Sequence, residues 1–453
     1  MIIQPAVPVR PFWCFSDALE RILDKKVQAI ALNCIERLVD WIMTRFSSTY
    51  RLLYQTKLMA IPSLENKIAA AQLVLNTHRV PFDDRLKGTI EGQAIGDTLG
   101  LLTEFETGSS ARAMIAGRPL ELDLKHDPAF VNGPRGAHRN AFPEGWTDDT
   151  DQYVLGVRAK WLKENDPQYA GFSLSQVFAQ QLNHWYHHGL DSFHGRFAQR
   201  GLPACRGLGR LVGAVLAKPH FVANPEQAAL EAWRDPNLAM GDGFRGRPAA
   251  NGAIMRTAFV GAIAYRDLRK VVQDTVTFCK TTHADPRSIA SSVALSVAIA
   301  LFLRGCGDVS VAQYHASEIA KQVLRSEMPR TEPIEPYIQE FDLYMNGNWQ
   351  TLQLDQGGIG YTYKCMGSAF HALRLADRFL QQNPGADRTQ AFRRSMEELV
   401  AQGGDADTNG AVAGALMGAY LGLEQIPVRW AAEMADQNVL DQTWAMITEL
   451  SAR

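Results

Sequence analysis

Apolar residues near the start of the chain recur mostly at every third or fourth position, the period of one helix face. From Leu19 onward they are Ile22, Leu23, Val27, Ile30, Ile35, Leu38, Val39 and Ile42. Asp17 and Glu20 precede this run with the spacing of a capping box. The pattern predicts a long amphipathic helix that ends near Ser47–Ser48. A second helix is predicted after Pro62–Ser63, and its apolar positions are Leu64, Ile68 and Leu75.

The sequence pattern of the chain changes beyond Asp84. Its helical stretches become rich in glycine and alanine, and the alternation of apolar and polar residues that strands show is scarce. We therefore predict an all-α protein, with an N-terminal helical extension over residues 1–82 and one compact helical domain over residues 83–453.

Two segments carry a glycine at every fourth position. GTIEGQAIGDTLG contains Gly88, Gly92, Gly96 and Gly100, and GAVAGALMGAYLG contains Gly410, Gly414, Gly418 and Gly422. A glycine inside a helix costs up to about 1 kcal/mol relative to alanine, so these glycines need compensation. Their spacing places them on one helix face. Glu91 and Asp97 within the first segment argue against a membrane helix, so the pattern predicts two buried helices packed through bare glycine stripes.

Composition and charge exclude two classes of partner. The net charge of −2 over 453 residues offers no basic surface for nucleic acid or acidic membranes. We expect no secretory signal at the N-terminus and no membrane span, since no uncharged apolar run of about 18 residues is present. The cysteines lack a CxxC pair, which favours free buried thiols and a cytoplasmic location; they are Cys14, Cys34, Cys205, Cys279, Cys306 and Cys365.

Three short segments concentrate oxygen-bearing side chains: DTLGLLTE (97–104), WTDDTDQ (146–152) and GGDADTN (403–409). The second and third precede apolar helical patterns, so both are predicted helix starts, where Asp and Thr are ordinary caps. Capping explains one acid at each start, but adjacent acids repel each other. Four aspartates and two threonines at two starts, with Glu104 after a glycine stripe, favour a bound cation.

The donor types indicate which cation. Carboxylate and hydroxyl oxygens without paired His or Cys favour Mg²⁺, Mn²⁺ or Ca²⁺ over Zn²⁺. So many donors exceed what one Mg²⁺ needs, which predicts two ions about 3.5–4 Å apart. Asp405, Asp407 and Asn409 also fit the first half of an EF-hand loop, but Leu416 stands where that loop needs glutamate. We therefore reject the EF-hand.

In this order the segments resemble the ADP-ribosylglycohydrolase family, which includes the dinitrogenase reductase-activating glycohydrolase and the ADP-ribosylarginine hydrolases. The matching pieces are GTIEGQAIGDTLGLLTE (88–104), WTDDT (146–150), NGAIMR (251–256), THADP (282–286) and GGDADTNGAVAGALMGAYLG (403–422). The resemblance implies a compact all-α fold with two Mg²⁺ or Mn²⁺ ions at the base of an ADP-ribose cleft.

The resemblance also implies roles for single residues. By matching position, the metal ligands would be Glu104, Thr147, Asp148, Asp149, Asp405, Asp407 and Thr408. Asp97 is expected to make structural hydrogen bonds near them. The substrate-side candidates are Asn251, Gly252, His283, Gly358 and Tyr361. Tyr361 is expected to stack on a ribose or base, whereas the alternative for His283 is an ordinary packing residue.

The chain departs from the family pattern at three places. Ala249-Ala250 stands where a glycine or serine usually precedes the NG pair, and Ala406 replaces a common hydroxyl residue. Some members carry an aspartate, proposed as general base, between the second and third motifs. Asp191 is the candidate for it here.

The implied reaction is hydrolysis of the N-glycosidic bond that joins ADP-ribose to a side chain of a modified protein, most directly the guanidinium of arginine. The candidate general bases are Asp149, Glu104 and Asp191. Nearby acids would balance an oxocarbenium-like transition state.

Two other functions are open. The extension over residues 1–82 could bind and block an ADP-ribosyltransferase toxin, as an immunity protein, through a helix whose aromatic residues include Phe12, Trp13, Phe15 and Trp41. Alternatively, this helix docks on the protein's own core. A protein that binds ADP-ribose without catalysis is disfavoured, because every position that matches a metal ligand of the family carries a residue able to bind a metal.

Overall fold

The computed structural model describes residues 23–26, 40, 43, 48–133, 135–142, 145–190, 207–239 and 247–453. The chain forms two compact units, Met1–Val74 and Leu75–Arg453. This division lies eight residues before the boundary expected from the sequence, 82/83.

The first unit contains α1 (Ser48–Ala60) and α2 (Leu64–Gln72). The second predicted helix is confirmed as α2, but Leu75 lies beyond its end and is 43% exposed, so its placement on the helix was wrong. The helix predicted from Leu19 lies almost entirely outside the described residues. Helix α1 was not predicted, and its apolar side chains do not share one face: Leu52 and Leu53 are exposed while Leu58 is buried.

The regular secondary structure described in the second unit consists of helices joined by turns and loops. Its α-helices are α3 (Phe82–Gly100), α4 (Gly108–Ile115), α5 (Pro128–Val131), α6 (Gly136–Arg139), α7 (Asp148–Asn165), α8 (Leu174–His188), α9 (Arg210–Leu216), α10 (Pro225–Arg234), α11 (Ala258–Ile263), α12 (Leu268–Lys280), α13 (Pro286–Leu303), α14 (Val309–Glu327), α15 (Glu335–Met345), α16 (Trp349–Leu352), α17 (Thr362–Gln382), α18 (Thr389–Val400), α19 (Ala406–Leu421), α20 (Val428–Ala432) and α21 (Gln437–Ser451). Short 3-10 turns lie at Leu122–His126, Pro167–Tyr169, Pro236–Leu238, Ile254–Arg256 and Leu423–Gln425. The all-α prediction is confirmed.

Helices α3 and α19 pack antiparallel through their glycine stripes. A Cβ on Gly88 would stand 2.5 Å from the Gly418 carbonyl oxygen, and one on Gly96 would stand 2.0 Å from that of Gly410. Contacts this short leave no room for any side chain, so the glycines allow the two backbones to touch. The predicted pairing of the stripes is confirmed, and it brings the C-terminal end of α3 beside the N-terminal end of α19.

Helix α13 lies in the core of the second unit. All 18 of its residues are buried, including the side chain of Arg287. Among the described residues it is the helix long and apolar enough to cross a membrane, and its whole length is covered by protein. Three cysteines, Cys279, Cys306 and Cys365, are buried free thiols, as expected. Cys14, Cys34 and Cys205 lie outside the described residues.

No strand occurs in the part of the chain that the structure describes, and the one isolated β-bridge there pairs Ala250 with Tyr361. The Asn251 amide donates to the Gly360 carbonyl at 3.0 Å, and the Thr362 amide donates to the Ala249 carbonyl at 3.0 Å. This bridge joins the two glycine-containing loops that the sequence proposed for one cleft.

Candidate metal centre and cleft

Two helix N-termini meet at the end of the glycine packing. Helix α7 begins at Asp148 with Thr147 as its N-cap, and α19 begins at Ala406 with Asp405 as its N-cap. Both predicted helix starts are therefore confirmed. The positive ends of two helix dipoles favour negative charge at this point.

Asp97 fixes α7 to α3. Its fully buried carboxylate accepts hydrogen bonds from the Thr147 amide and hydroxyl, at 3.0 and 2.9 Å, and from the Thr150 amide and hydroxyl, at 3.0 and 2.7 Å. Burial raises the pKa of Asp97 to about 7, although the four donors lower it. Asp97 has the structural hydrogen-bonding role expected for it.

The carboxylates form two groups whose oxygens could hold cations. Within each group the ligand atoms lie within 4.8 Å of one another; the groups are Asp97, Asp149 and Asp407, and Glu104, Asp405 and Asp407. Asp407 belongs to both groups, so the two positions are adjacent. Asp149 Oδ1 is buried and accepts no hydrogen bond. An unpartnered carboxylate oxygen in an acidic cluster is what a hard cation would satisfy.

A positive charge would stabilise this cluster of buried carboxylates. Burial, then repulsion by neighbouring carboxylates, raises the pKa values of Asp148, Asp149 and Asp407 well above the ordinary range. Burial and Glu104 raise the pKa of Asp405 to about 6. Without protons or a bound cation, the cluster would hold several uncompensated negative charges out of water.

The remaining predicted ligands lie around these groups. The Thr147 hydroxyl stands between two carboxylates, 2.9 Å from Asp97 Oδ1 and 3.0 Å from Asp149 Oδ2. Asp148 accepts from Gln152 Nε2 at 2.8 Å, and the Thr408 amide donates to Asp407 Oδ1 at 2.8 Å. The structure therefore brings all seven predicted ligands to one place, with Thr147 and Asp148 at its margin.

A cavity of about 480 Å³ opens over the cluster. Its floor contains predicted ligands: Glu104, Asp148, Asp149, Asp405, Asp407 and Thr408. Its walls are mainly apolar and include Phe105, Leu211, Val212, Leu238, Met255 and Ile359. A charged floor below apolar walls suits a ligand with a polar end and a flat apolar end.

Four of the five substrate-side candidates reach this cavity. Asn251, Gly252, His283 and Gly358 line it, and Asn251 Nδ2 donates to Asp405 Oδ2 at 2.6 Å. The carboxamide of Asn251 thus connects the loop of the β-bridge to the metal cluster. Gly252 leaves room beside His283, because a Cβ there would stand 3.1 Å from His283 Nε2.

Tyr361 is the exception, and the expectation that its ring stacks on a ligand was wrong. The side chain is fully buried, its ring packs edge-on to that of Tyr344, and its hydroxyl donates to Glu340 Oε1 at 2.7 Å. The β-bridge turns the backbone of Gly360 toward the cavity and the ring of Tyr361 into the core. Asp191 lies outside the described residues.

Sequence reasoning missed two side chains, one that contacts the cluster and one that lines the cavity. His138 Nε2 lies 2.5 Å from Glu104 Oε2, and its ring packs against those of Phe105 and Phe142. Arg210 contributes positive charge to the cavity wall. His138 comes from the short helix α6 and Arg210 from the start of α9, and neither has a local pattern that could have identified it.

The chain is similar to known proteins over most of its length. The model of a family described as ADP-ribosylglycohydrolase matches residues 78–453. The ADP-ribosylarginine hydrolase Tri1 of Pseudomonas putida is 25% identical over 353 residues, which are 78% of this chain and 74% of that protein. The ADP-ribosylhydrolase ARH3 of Bos taurus is 24% identical over 76% of this chain and 87% of that protein.

A solved structure titled ADP-ribosylglycohydrolase-related protein complex superposes with a TM-score of 0.51. It is 22% identical in sequence and covers 82% of this chain and 99% of its own. At that identity, the likeness shows the fold.

Proposed function

Because the chain belongs to the ADP-ribosylglycohydrolase family, we propose that it hydrolyses the N-glycosidic bond between ADP-ribose and an arginine side chain of a modified protein. The products are free ADP-ribose and the restored arginine. Hydrolysis of an ADP-ribosyl bond follows from the family match over residues 78–453. The arginine linkage is the finer part of the proposal, supported by the name of the Pseudomonas putida relative.

One observation supports this function most: two adjacent carboxylate groups form the floor of a cavity that has apolar walls. The floor offers oxygen ligands for two cations and negative charge for an electron-poor anomeric carbon. The apolar wall near Leu211 and Leu238 suits an adenine ring, and Arg210 suits a diphosphate. ADP-ribose contains an adenine ring, a diphosphate and a terminal ribose, and so has a group suited to each of these features.

The donor set fits hard divalent cations, and we propose Mg²⁺ or Mn²⁺. Asp149, Asp405, Asp407 and Thr408 would hold the ions, and Glu104 beside them is kept free of the ions as the proposed general base. When bound, such ions supply Lewis-acid polarisation of ligand oxygens and neutralise the acidic floor.

We assign the general base to Glu104. The Nε2–H of His138 donates to one Glu104 oxygen, which holds the carboxylate at the cavity and leaves its other oxygen able to accept. Water adds to C1″ and gives a proton to Glu104, while the C1″–N bond breaks and its electron pair stays with the guanidine. The leaving nitrogen takes up one proton from solvent and Glu104 releases to solvent the one it received, so atoms and charge balance and the carboxylate is restored.

The function is tested by incubating the purified chain with an arginine-ADP-ribosylated protein and measuring free ADP-ribose by chromatography. We expect release with Mg²⁺ or Mn²⁺ and loss of release with chelator. A serine-ADP-ribosylated protein serves as the matched substrate for linkage. Release from it alone would contradict the arginine assignment, and no release from either would contradict the hydrolase proposal.

The toxin-blocking alternative rested on the amphipathic helix of the extension. Its aromatic residues Phe12, Trp13, Phe15 and Trp41 lie outside the described residues, and no observation on the described part of the chain favours that function. We do not propose it.

A further inference from the structure

A chain of four hydrogen bonds connects the acidic cluster to His283 through the protein interior. Gln152 Nε2 donates to Asp148 Oδ2 at 2.8 Å, and Arg256 Nη1 donates to Gln152 Oε1 at 2.5 Å. Arg256 Nη2 donates to the Thr282 hydroxyl, which lies 2.7 Å from His283 Nδ1. Gln152, Arg256 and Thr282 are fully buried.

The donors and acceptors give this chain one direction. A carboxylate accepts and a guanidinium only donates, so the Gln152 amide must turn its NH₂ toward Asp148 and its oxygen toward Arg256. Arg256 forms no ion pair with a carboxylate in the described part of the chain. Its guanidinium instead lies 5.0 Å from the centre of the Phe178 ring.

The same reasoning fixes the donor and the acceptor in the hydrogen bond between Thr282 and His283. Its oxygen already accepts from Arg256, and its hydroxyl hydrogen then needs an acceptor of its own. Among the described contacts that acceptor is His283 Nδ1. If Nδ1 carried the proton instead, two donors would point at the hydroxyl and its own hydrogen would be left without an acceptor. An acceptor for the Thr282 hydroxyl hydrogen therefore requires that the histidine proton is on Nε2.

The protonated nitrogen has no partner among the residues that the structure describes. His283 is 1% exposed, lines the cavity wall, and its Nε2 has no hydrogen-bond partner. A buried N–H without a partner is destabilising, so a ligand acceptor at this point would be favoured. Gly252 keeps the approach open. Burial and the charge of Arg256 also hold the pKa of His283 well below its usual range, which keeps the ring neutral.

We propose that Gln152, Arg256 and Thr282 are positioning residues that fix His283 as a neutral Nε2–H donor toward an acceptor oxygen of the bound ligand. Given the proposed function, that oxygen belongs to a ribose hydroxyl or a phosphate of the ADP-ribosyl group. The residues act through His283 and contact no ligand themselves. A purely structural role for the same residues needs no particular tautomer of His283.

The experiment compares three threonine variants by ring ¹⁵N NMR of histidine-labelled protein, in which the His283 signals are assigned by their loss in His283→Gln. Thr282→Val removes the hydroxyl at nearly constant volume, and Thr282→Ser retains it. Thr281→Val is the matched control, because the Thr281 hydroxyl is also buried but bonds to the Thr277 carbonyl within its own helix turn.

We expect the wild type, Thr282→Ser and Thr281→Val to show the proton on Nε2 and an acceptor at Nδ1. Thr282→Val should give a mixture of tautomers and bind ADP-ribose about tenfold more weakly by calorimetry, which is the loss of one typical hydrogen bond. A wild-type signal with the proton on Nδ1 would overturn the proposal, and so would an unchanged tautomer in Thr282→Val.

The NMR result separates this inference from the proposed function. If the wild type releases no ADP-ribose but its tautomer depends on the Thr282 hydroxyl, the hydrolase proposal fails and the positioning chain stands. If the wild type releases ADP-ribose normally but the His283 tautomer does not depend on the Thr282 hydroxyl, the positioning proposal fails and the hydrolase proposal stands. If Thr282→Val does not fold, the tautomer of His283 in the wild type still tests the proposal, because a proton on Nδ1 would overturn it.

Discussion

Gly92 of α3 lies directly against Gly414 of α19: a Cβ on Gly92 would stand 2.3 Å from the Gly414 carbonyl oxygen. This contact lies in the middle of the packing that brings Glu104, beyond the end of α3, beside the acidic start of α19. The glycines thus help to assemble the acidic cluster, because any side chain between the helices would move Glu104 away from the aspartates of α19.

Gly92→Ala should therefore destabilise the protein. The added methyl group would meet backbone, which cannot rotate away, so we expect a loss of about 3 kcal/mol in the free energy of unfolding. Urea denaturation followed by circular dichroism measures this. Gly385→Ala is the control, since no atom lies within 4 Å of its Cβ position and the change should stay within about 0.5 kcal/mol. Equal stabilities would show that α3 and α19 can separate without cost.

Asp407 belongs to both carboxylate groups, so its removal should disable both cation positions. We expect Asp407→Asn to lower metal-dependent release of ADP-ribose at least about 100-fold, while relief of repulsion keeps the metal-free protein folded. Asp387→Asn provides a matched control, because Asp387 also stands at a helix start but is exposed and caps Thr389. Wild-type turnover by Asp407→Asn at saturating metal would refute the assignment of this site.

Glu104 should affect the chemical step more than binding. We expect Glu104→Gln to lower kcat by about 100-fold or more while the calorimetric affinity for ADP-ribose changes only a few-fold, because the amide keeps the shape but accepts no proton. His138→Gln should give a smaller loss in kcat, since it removes only the partner that orients Glu104. A loss confined to ADP-ribose affinity in Glu104→Gln would move the base to another carboxylate.

The lowered pKa of His78 should make the stability of the fold depend on pH. Burial, then the charge of Arg85, lowers its pKa to about 4, whereas an unfolded histidine titrates near about 6.5. The folded protein then binds fewer protons than the unfolded one between these values, so this group stabilises the fold above pH ~6.5 and its contribution is lost as the pH falls toward ~4.

The expected loss from His78 over that window is on the order of 1 kcal/mol after solvent screening. Denaturation at a series of pH values measures it. His78→Gln keeps an acceptor for the Val80 amide, which bonds to Nδ1 in the wild type, and should flatten the slope. The same slope in both proteins would mean that other groups cause the pH dependence.

Much of the fold could be predicted from the sequence because the signals are local. Four glycines spaced by four residues define a bare helix face whatever the partner, and acids before an apolar run mark a helix start. Such patterns predicted the α3–α19 pairing, the starts of α7 and α19, and an acidic cluster that contains Asp149, Asp405 and Asp407.

Other features depended on long-range contacts that no periodicity records. Tyr361 follows a glycine loop in the sequence, but the bridge to Ala250 turns its ring into the core. His138 is distant in sequence from Glu104 and becomes its partner only in the folded chain.

By itself, the sequence determined the helical class, the glycine-paired helices and the residue types that could bind a cation, because spacing along a helix sets which side chains share a face. Only the tertiary structure decided which donors meet, which oxygen of Asp149 is left without a partner, and which nitrogen of His283 is left without one. Those choices depend on hydrogen-bond directions between residues far apart in the chain, such as Asp148 and His283.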